Sequence, residues 1–490
     1  MSVETFNVFN YKDKKMNTLH LSWIAFFITF FMWFSHSSLM PLIVQTFGLS
    51  SAEAKALLFL NVALTIPSRT IIGMLVDKFG PRLMFSVLLA ISGGLCIGFA
   101  LAQTYEQLAM FRFLLGFAGA GFVIGIRLLT EWFPAKQAGT AQGVYGGWGN
   151  FGAAAAGFIL PALAAYFGGE EGWRGAAGSA GVVSIFYAFI FYSFVRNTPQ
   201  GATYFSPKKL GPMEVTSRGD LVLYIVMCIP MFLAMGVIVW RLSPAGVGLL
   251  SEGVAQGIWG ALLVWFSYQV MQICKVNKHN LQQDVALLHQ YKFKQVALLN
   301  LAYMVTFGSE VAVVSMLPLY FIEVFDVSIA MAAAMASSFM AMNLIARPGG
   351  GYISDKIGRK RSLLVTVLGS AIGYAGLSLV DASWTLHLTM VVVIFCSFFV
   401  QAGAGATFGV VPTIKRRLTG QIAGLTGAYG NVGAATFLLI YSLTDATTLF
   451  IVICASCFVV FALLQAFLDE PKGKIAEILP DGTVELISVD

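Results

Sequence analysis

The sequence predicts an all-α polytopic membrane protein made of two six-helix repeats plus an inserted helix pair, about fourteen transmembrane helices in all. Three observations carry that expectation. Of 490 residues, 58% are hydrophobic and only 11% charged, with a mean hydropathy of +0.79. Apolar runs reach the length of about 20 residues that crosses a bilayer, again and again. Several short segments also recur at a nearly constant separation.

In chain order, residues 1–19 are polar and precede a full-length apolar run at 20–46. They read as a tail, and no cleavable signal peptide is expected. Spans at 53–76, 83–102, 106–130, 138–166 and 174–195 complete a first repeat over 20–196. The span at 53–76 contains Arg69, a charge costing roughly 2.5–3.5 kcal/mol at mid-membrane. A linker, 197–292, holds two further apolar runs at 219–241 and 247–274. Neither carries a charge in mid-span, so the pair, with Trp259 and Trp265, is expected to pack outside the repeats. The second repeat, 293–468, has spans at 293–322, 328–350, 362–381, 385–410, 420–442 and 447–468. Its second span contains Arg347. In the tail 469–490, apolar residues alternate around Asp481-Gly482, the pattern of a small hairpin.

Basic residues gather in alternate loops: Lys78/Arg82, Lys136, Arg196/Lys208/Lys209/Arg218, Lys356 to Arg361, and Lys415 to Arg417. The loops between them are short and acidic, with Glu106, Glu170/Glu171, Glu323/Asp326, Asp381 and Asp445. The positive-inside rule then puts both termini in the cytoplasm of a protein spanning the cell membrane. The net charge of +6 reflects this topology and is no argument for nucleic acid. Cys96, Cys228, Cys274, Cys396, Cys454 and Cys457 lie within or at the ends of spans. Cys454 and Cys457 are spaced CxxC, but a helix merely sets them on one face, and no His or acid is near in sequence. No metal site and no cofactor is expected.

The segment VDKFGPR (76–82) recurs as SDKIGRK (354–360), and GGWGNFGA (146–153) recurs as GAYGNVGA (427–434). FMWFSHSSLMP (31–41) is echoed by GSEVAVVSMLP (308–318), so the offsets are 278, 281 and 277 residues. Arg69 is followed by Gly73 and Asp77 at the spacing with which Arg347 is followed by Gly351 and Asp355. A charged cap that fixes topology would explain the charges but not the paired glycines and aspartates. The pattern G-x-x-x-D-[KR]-x-G-x-[RK] resembles the loop motif of the major facilitator superfamily. That resemblance covers nearly the whole chain, apart from the inserted pair and the tails. It implies two parallel six-helix halves with a midplane site between them.

Small residues three and four apart in the two glycine segments let helix backbones approach closely, with no ligand needed. Asn150 and Asn431 are not explained that way: they are two amides placed identically in mid-span, and a buried amide wants partners. The doubled G-N-x-G pattern, Gly149-Asn150 and Gly430-Asn431, together with the two arginines, resembles the nitrate/nitrite porter family of that superfamily. The resemblance implies a secondary active transporter, not an enzyme, moving nitrate and also nitrite by alternating access, with proton-coupled uptake. By the same resemblance Arg69 and Arg347 are the anion clamp, and Asn150 and Asn431 belong to the helices that line it. The chemistry agrees, because a guanidinium fork can meet two oxygens of a planar, weakly hydrated monovalent anion. The resemblance also places Phe122, Phe408, Tyr303 and Phe307 near the substrate. Tyr303 and Phe307 are one turn apart on one face, and the tyrosine hydroxyl could donate to the anion. With 13% aromatic residues, contact with lipid or other helices is the alternative for all four.

Glu310, a turn beyond Phe307, could titrate and is the candidate proton carrier; a protonated structural acid or a wetted vestibule acid is the alternative. Asp77 and Asp355 are expected to pair with nearby basic side chains and latch an inner gate. Arg127 and Glu131, four apart, read as an intrahelical pair. His36 could serve in coupling or simply hydrogen-bond a neighbouring helix.

Competing functions are a nitrate/nitrite exchanger, or a porter of the same superfamily for another small anion such as an organic carboxylate. A membrane enzyme would need clustered nucleophiles, acid/base pairs or metal ligands at membrane depth, and none is evident. A sensor built on this scaffold would be expected to append a long soluble region. No GxxxxGK[ST] segment points to ATP. The expected partners are nitrate or nitrite, protons and membrane lipid.

Overall fold

The computed structural model describes residues 6–204, 206–207, 211–246, 248–281, 290–478 and 484–488. Lys208, Lys209, Asp481 and Gly482 therefore lie outside the described residues. The first half runs through α1 (Lys14–Phe47), α2 (Ser51–Ala63), α3 (Thr65–Phe79) and α4 (Pro81–Ala100). It continues with α5 (Tyr105–Leu114), a 3-10 stretch (Leu115–Ala120), α6 (Gly121–Trp132), α7 (Ala135–Phe167) and α8 (Gly172–Phe194). Helix α1 starts earlier than the hydropathy suggests, because the Asp13 side chain accepts from the Lys15 amide and caps it. Residues 14–19 are therefore helical and not tail.

Two helices fill the linker, α9 (Arg218–Leu242) and α10 (Glu252–Asn280). The second half comprises α11 (Phe293–Tyr303), a π turn (Met304–Gly308), α12 (Ser309–Phe325), α13 (Ile329–Ala341) and α14 (Asn343–Ile357). It ends with α15 (Arg359–Ser378), α16 (Leu386–Val410), α17 (Thr419–Leu443) and α18 (Ala446–Phe467). An antiparallel pair, β1 (Lys474–Ile478) and β2 (Val484–Ser488), follows, with Ala476 opposite Leu486. Those strands flank the Asp481-Gly482 step that the alternation singles out.

Twelve helices among the described residues are long and apolar enough to cross a membrane, judged by length and composition. The segments bearing Arg69 and Arg347 are not in that set, because each is interrupted: α2 gives way to α3 at Leu64, and α13 to α14 at Met342. Pro67 accounts for the first break. It has no N–H to offer the carbonyl of Ala63, and its ring crowds that carbonyl. No proline stands four residues after the second break.

One face of the bundle gathers the two loop-motif turns. Gly80 (φ 87) and Gly358 (φ 101) turn the chain in a conformation that only glycine adopts freely, which is why both motif copies carry one. The third residue after each half's last helix staples the turn. Asn197 Oδ1 accepts from the Arg82 amide at 2.8 Å, and Glu470 accepts from the amides of Arg359 and Lys360 at 2.7 and 2.8 Å. Phe6 packs against Phe133 and Glu470 against the α14–α15 turn, so this is the terminal face, and from it the halves meet as α3 on α17 and α7 on α14. A Cβ on Gly143 would sit 2.7 Å from the Arg347 carbonyl, and one on Gly424 would sit 2.5 Å from the Arg69 carbonyl. Backbone therefore touches backbone at both crossings.

Within the first half, Gly93 and Gly181 make the same kind of approach between α4 and α8, each Cβ position lying 2.6 Å from the other's carbonyl. Gly181→Leu is expected to cost about 1–3 kcal/mol through overpacking. A lowered thermal-unfolding midpoint in detergent checks this, and an unchanged midpoint would mean that the helices re-space freely.

Candidate functional site

Each half's arginine lies against the other half's glycine helix. The Cδ of Arg69, on α3, would be 3.1 Å from a Cβ on Gly427 of α17; the Cδ of Arg347, on α14, would be 3.2 Å from one on Gly146 of α7. These glycines exist to admit the arginines. Both guanidinium groups are withdrawn from solvent, at 0% and 2% exposure. Arg69 donates through Nε to the Gly119 carbonyl (3.0 Å) and through Nη1 across the halves to the Gly427 carbonyl (2.7 Å). Among the described residues no hydrogen bond is found at Arg69 Nη2 or at Nε, Nη1 and Nη2 of Arg347. An ion pair of 3.5 Å joins Arg347 Nη2 to Glu310 Oε2, while Glu310 Oε1 accepts from Asn343 Nδ2 at 2.7 Å.

Phe307 is where the two charges converge. The guanidinium carbons of Arg69 and Arg347 lie 5.2 and 5.5 Å from its ring centroid, so they are no more than about 11 Å apart. The π turn at Met304–Gly308 carries this ring, and such turns often mark functional positions. Tyr303 stacks on Phe307 at 4.9 Å and 2°, and Phe122 is parallel to Tyr303 at 6.2 Å. Phe408 meets Phe122 and Tyr303 edge-on at 4.5 and 4.7 Å. All four aromatic residues singled out in the sequence thus form one stack beside the arginines. Phe26 and Tyr145 back it from the first half, and sequence reasoning passed over both. Phe26 and Phe30 stand 277 residues before Tyr303 and Phe307, so the repeat offset would have found them.

Gly430 makes room for the stack, since a Cβ there would lie 2.6 Å from Phe307 and 2.8 Å from Tyr303. Gly149 does the same for Phe26. The two asparagines are placed alike, but their amide nitrogens turn back along their own helices: Asn150 donates to the Gly146 carbonyl (2.8 Å) and Asn431 to the Gly427 carbonyl (3.3 Å). Asn431 Oδ1 is buried without a partner. Asn343 was missed, although NLIAR sets it one turn before Arg347. His36 is buried, and its Nε2 lies 3.1 Å from Ser37 Oγ of its own helix.

Toward the terminal face, both motif aspartates reach the opposite half. Asp77 accepts from the amides of Gly420 (2.9 Å) and Gln421 (2.8 Å) in the first turn of α17, and from Arg127 Nε at 2.8 Å. A carboxylate is favoured at such a helix start. Asp355 accepts from the amides of Gly139 (3.0 Å) and Thr140 (2.7 Å) on α7, and pairs with Arg359 at 3.3 Å. Glu131 joins the network by pairing with Arg127 and, across the halves, with Arg416 at 3.1 Å. The arrangement is a water-excluded pair of guanidinium forks, closed on one side by these latches. Among the described residues no group of three or more His, Cys, Asp or Glu could hold a metal ion.

Comparison with known proteins points the same way. The chain matches the Major Facilitator Superfamily over residues 22–438 and 299–486. It is 40% identical over 476 residues to the nitrate/nitrite transporter NrtP of Nostoc punctiforme, covering 96% of this chain and 95% of that one. It is 42% identical over 502 residues to the NrtP of a Picosynechococcus species, covering 94% of each. Among solved structures, the proton:xylose symporter XylE superposes with a TM-score of 0.62 at 14% identity, over 93% of this chain and 96% of that one, a likeness of fold alone.

Gly430→Val is expected to collide with Tyr303 and Phe307 and to abolish transport while the protein still inserts. Asn431→Ala, which removes a 3.3 Å donor from a Gly427 carbonyl that Arg69 still contacts, should be milder. Transport in proteoliposomes, normalised to inserted protein, checks both, and near-parental activity of Gly430→Val would detach the stack from function.

Proposed function

The chain belongs to the nitrate/nitrite porter family of the Major Facilitator Superfamily, and from that membership we propose that it carries nitrate and nitrite across the cell membrane by alternating access. The observation that carries the reading is the convergence of Arg69 and Arg347 on Phe307, with Arg69 Nη2 and all three Arg347 nitrogens free of hydrogen bonds. A small planar anion between them would satisfy those donors in plane and relieve their mutual repulsion. The interrupted segments α2/α3 and α13/α14 count as one span each. Added to the twelve helices long and apolar enough to cross a membrane, they make fourteen spans, α9 and α10 being the inserted pair. Arg82, Lys136 and Lys356, at helix ends, and Lys415, between α16 and α17, stand on the terminal face, which in this reading is cytoplasmic, with both termini. In this reading the latches at Asp77 and Asp355 close the cytoplasmic gate. The division into repeats at 20–196 and 293–468, with 197–292 between them, follows the same logic.

Uptake is proton-coupled through Glu310. Charged, this carboxylate neutralises Arg347 from 3.5 Å and competes with an incoming anion. Protonated, it releases the guanidinium to the anion, while Asn343 keeps the side chain in place. Two guanidinium groups and one carboxylate give the unloaded site a charge of +1, and adding one nitrate and one proton leaves it at +1. Without a proton, an inward-negative potential would oppose nitrate entry by about 2.3 kcal/mol per 100 mV.

Arg69→Lys and Arg347→Lys keep the charge but lose the fork, so each should raise the half-saturating nitrate concentration roughly tenfold or more. Unchanged affinity in either variant, at normal membrane level, would remove that arginine from the clamp.

Glu310→Gln should abolish nitrate accumulation driven by a pH gradient while sparing counterflow of labelled nitrate. Full gradient-driven accumulation in this variant would take Glu310 out of the mechanism. Gradient-independent uptake in the parent protein would favour nitrate/nitrite exchange instead.

A further inference from the structure

A cavity of about 330 Å³ lies outside the anion site, between the latch helices α3 and α17 and the linker helices α9 and α10. Its walls are apolar: Ile66 and Met74 from α3, Leu425 from α17, Met231 and Met235 from α9, and Trp265 from α10. Methionine lines sites that accept flexible apolar partners. Its size and lining are those of a ligand pocket. Helix α10 forms the outer wall and is exposed on its far side, at Leu263 and Val264 among others, so the cavity borders the bilayer.

The chemistry along α10 changes toward the terminal face. Trp265, Tyr268, Gln269 and Gln272 line the cavity in that order, and Lys275 follows at the next helical step of the same stripe. Lys275 and Lys278 are both exposed, and Tyr268 is 54% exposed. Going down the helix, the lining therefore runs from apolar to aromatic to amide to ammonium. A membrane phospholipid presents the same order: acyl chain, ester region, phosphate.

We infer that this cavity binds an anionic phospholipid of the terminal-face leaflet, one acyl chain inside and the phosphate against Lys275 and Lys278. Basic residues beside transmembrane helices on the cytoplasmic side recognise such headgroups. The bound chain touches both helices of one latch, because Ile66 and Met74 of α3 and Gln421 of α17 line the cavity and the Gln421 amide donates to Asp77. This gives the inserted pair a role that the two repeats do not need: it makes a lipid part of the wall behind the gate.

The test uses the full chain purified from vesicles of phosphatidylglycerol and phosphatidylethanolamine, with retained lipid read by native mass spectrometry. It does not depend on nitrate transport, so its failure and failure of the transport reading are distinguishable. The parent protein should retain phosphatidylglycerol in preference to phosphatidylethanolamine. Lys275→Gln with Lys278→Gln should lower that preference about fivefold per lysine removed. Met231→Trp, which fills the cavity, should lose the retained lipid altogether. Both variants are checked for unchanged thermal stability, and the lysine variant, altered only at exposed positions, keeps the test decisive if the tryptophan disturbs folding. Equal phosphatidylglycerol retention by parent and Met231→Trp, or an unchanged preference in the lysine variant, would overturn the site. Displacement of phosphatidylglycerol by free palmitate at equal concentration would overturn the phosphate's part in it.

Discussion

Two guanidinium groups held dry within about 11 Å of each other, with too few partners, are the constraint on which the rest of this structure depends. Buried like charges are costly, and hydrogen-bonded only in part they cost more. The fold manages the cost without cancelling it. Arg69 is held by carbonyls of Gly119 and Gly427, Arg347 by one carboxylate at 3.5 Å, and both by the face of Phe307. The glycines opposite each arginine, the aromatic stack and the exclusion of water follow from the need to hold these charges in place.

The two halves are repeats, and the points where they differ are informative. Trp33 stands 277 residues before Glu310, and Thr65 stands 278 before Asn343. In the first half Thr65 donates to the Gly116 carbonyl, whereas in the second Asn343 donates to the carboxylate. Arg347 therefore has an acid within reach, and Arg69 has only neutral acceptors. In the proposed cycle the anion would meet one fixed cation and one whose availability depends on a proton.

What the sequence made legible was local or periodic. The spans, the duplication, the Tyr303–Phe307 stack and the Arg127–Glu131 pair all follow from spacings of one turn or one repeat. The interruption at Leu64 was readable in principle from Pro67, but the apolar run conceals it. Contacts that depend on how helices cross were not legible. Asp355 reaching the amides of Gly139 and Thr140, or Asn343 reaching Glu310, requires knowing which faces meet. The asparagines illustrate the same limit. Their positions were plain, but that each amide turns to the carbonyl four residues back and not to the cavity was not.

In the proposed cycle the same +1 charge on the unloaded and loaded site has a consequence for energetics. A carrier whose mobile site bears one charge in both crossing states moves no net charge when nitrate and a proton travel together. The membrane potential then neither opposes nor drives uptake, and accumulation is set by the pH gradient alone. If nitrate bound without the proton, the loaded site would hold two guanidinium groups, a carboxylate and nitrate, a total of zero. The carboxylate and the anion would then contend for Arg347. The unsatisfied donors on Arg69 cannot make good that loss, because two of its nitrogens are already tied to Gly119 and Gly427. The asymmetry between the two arginines is thus sufficient to make anion binding and protonation favour each other, with no moving part beyond one carboxylate and the guanidinium it shares.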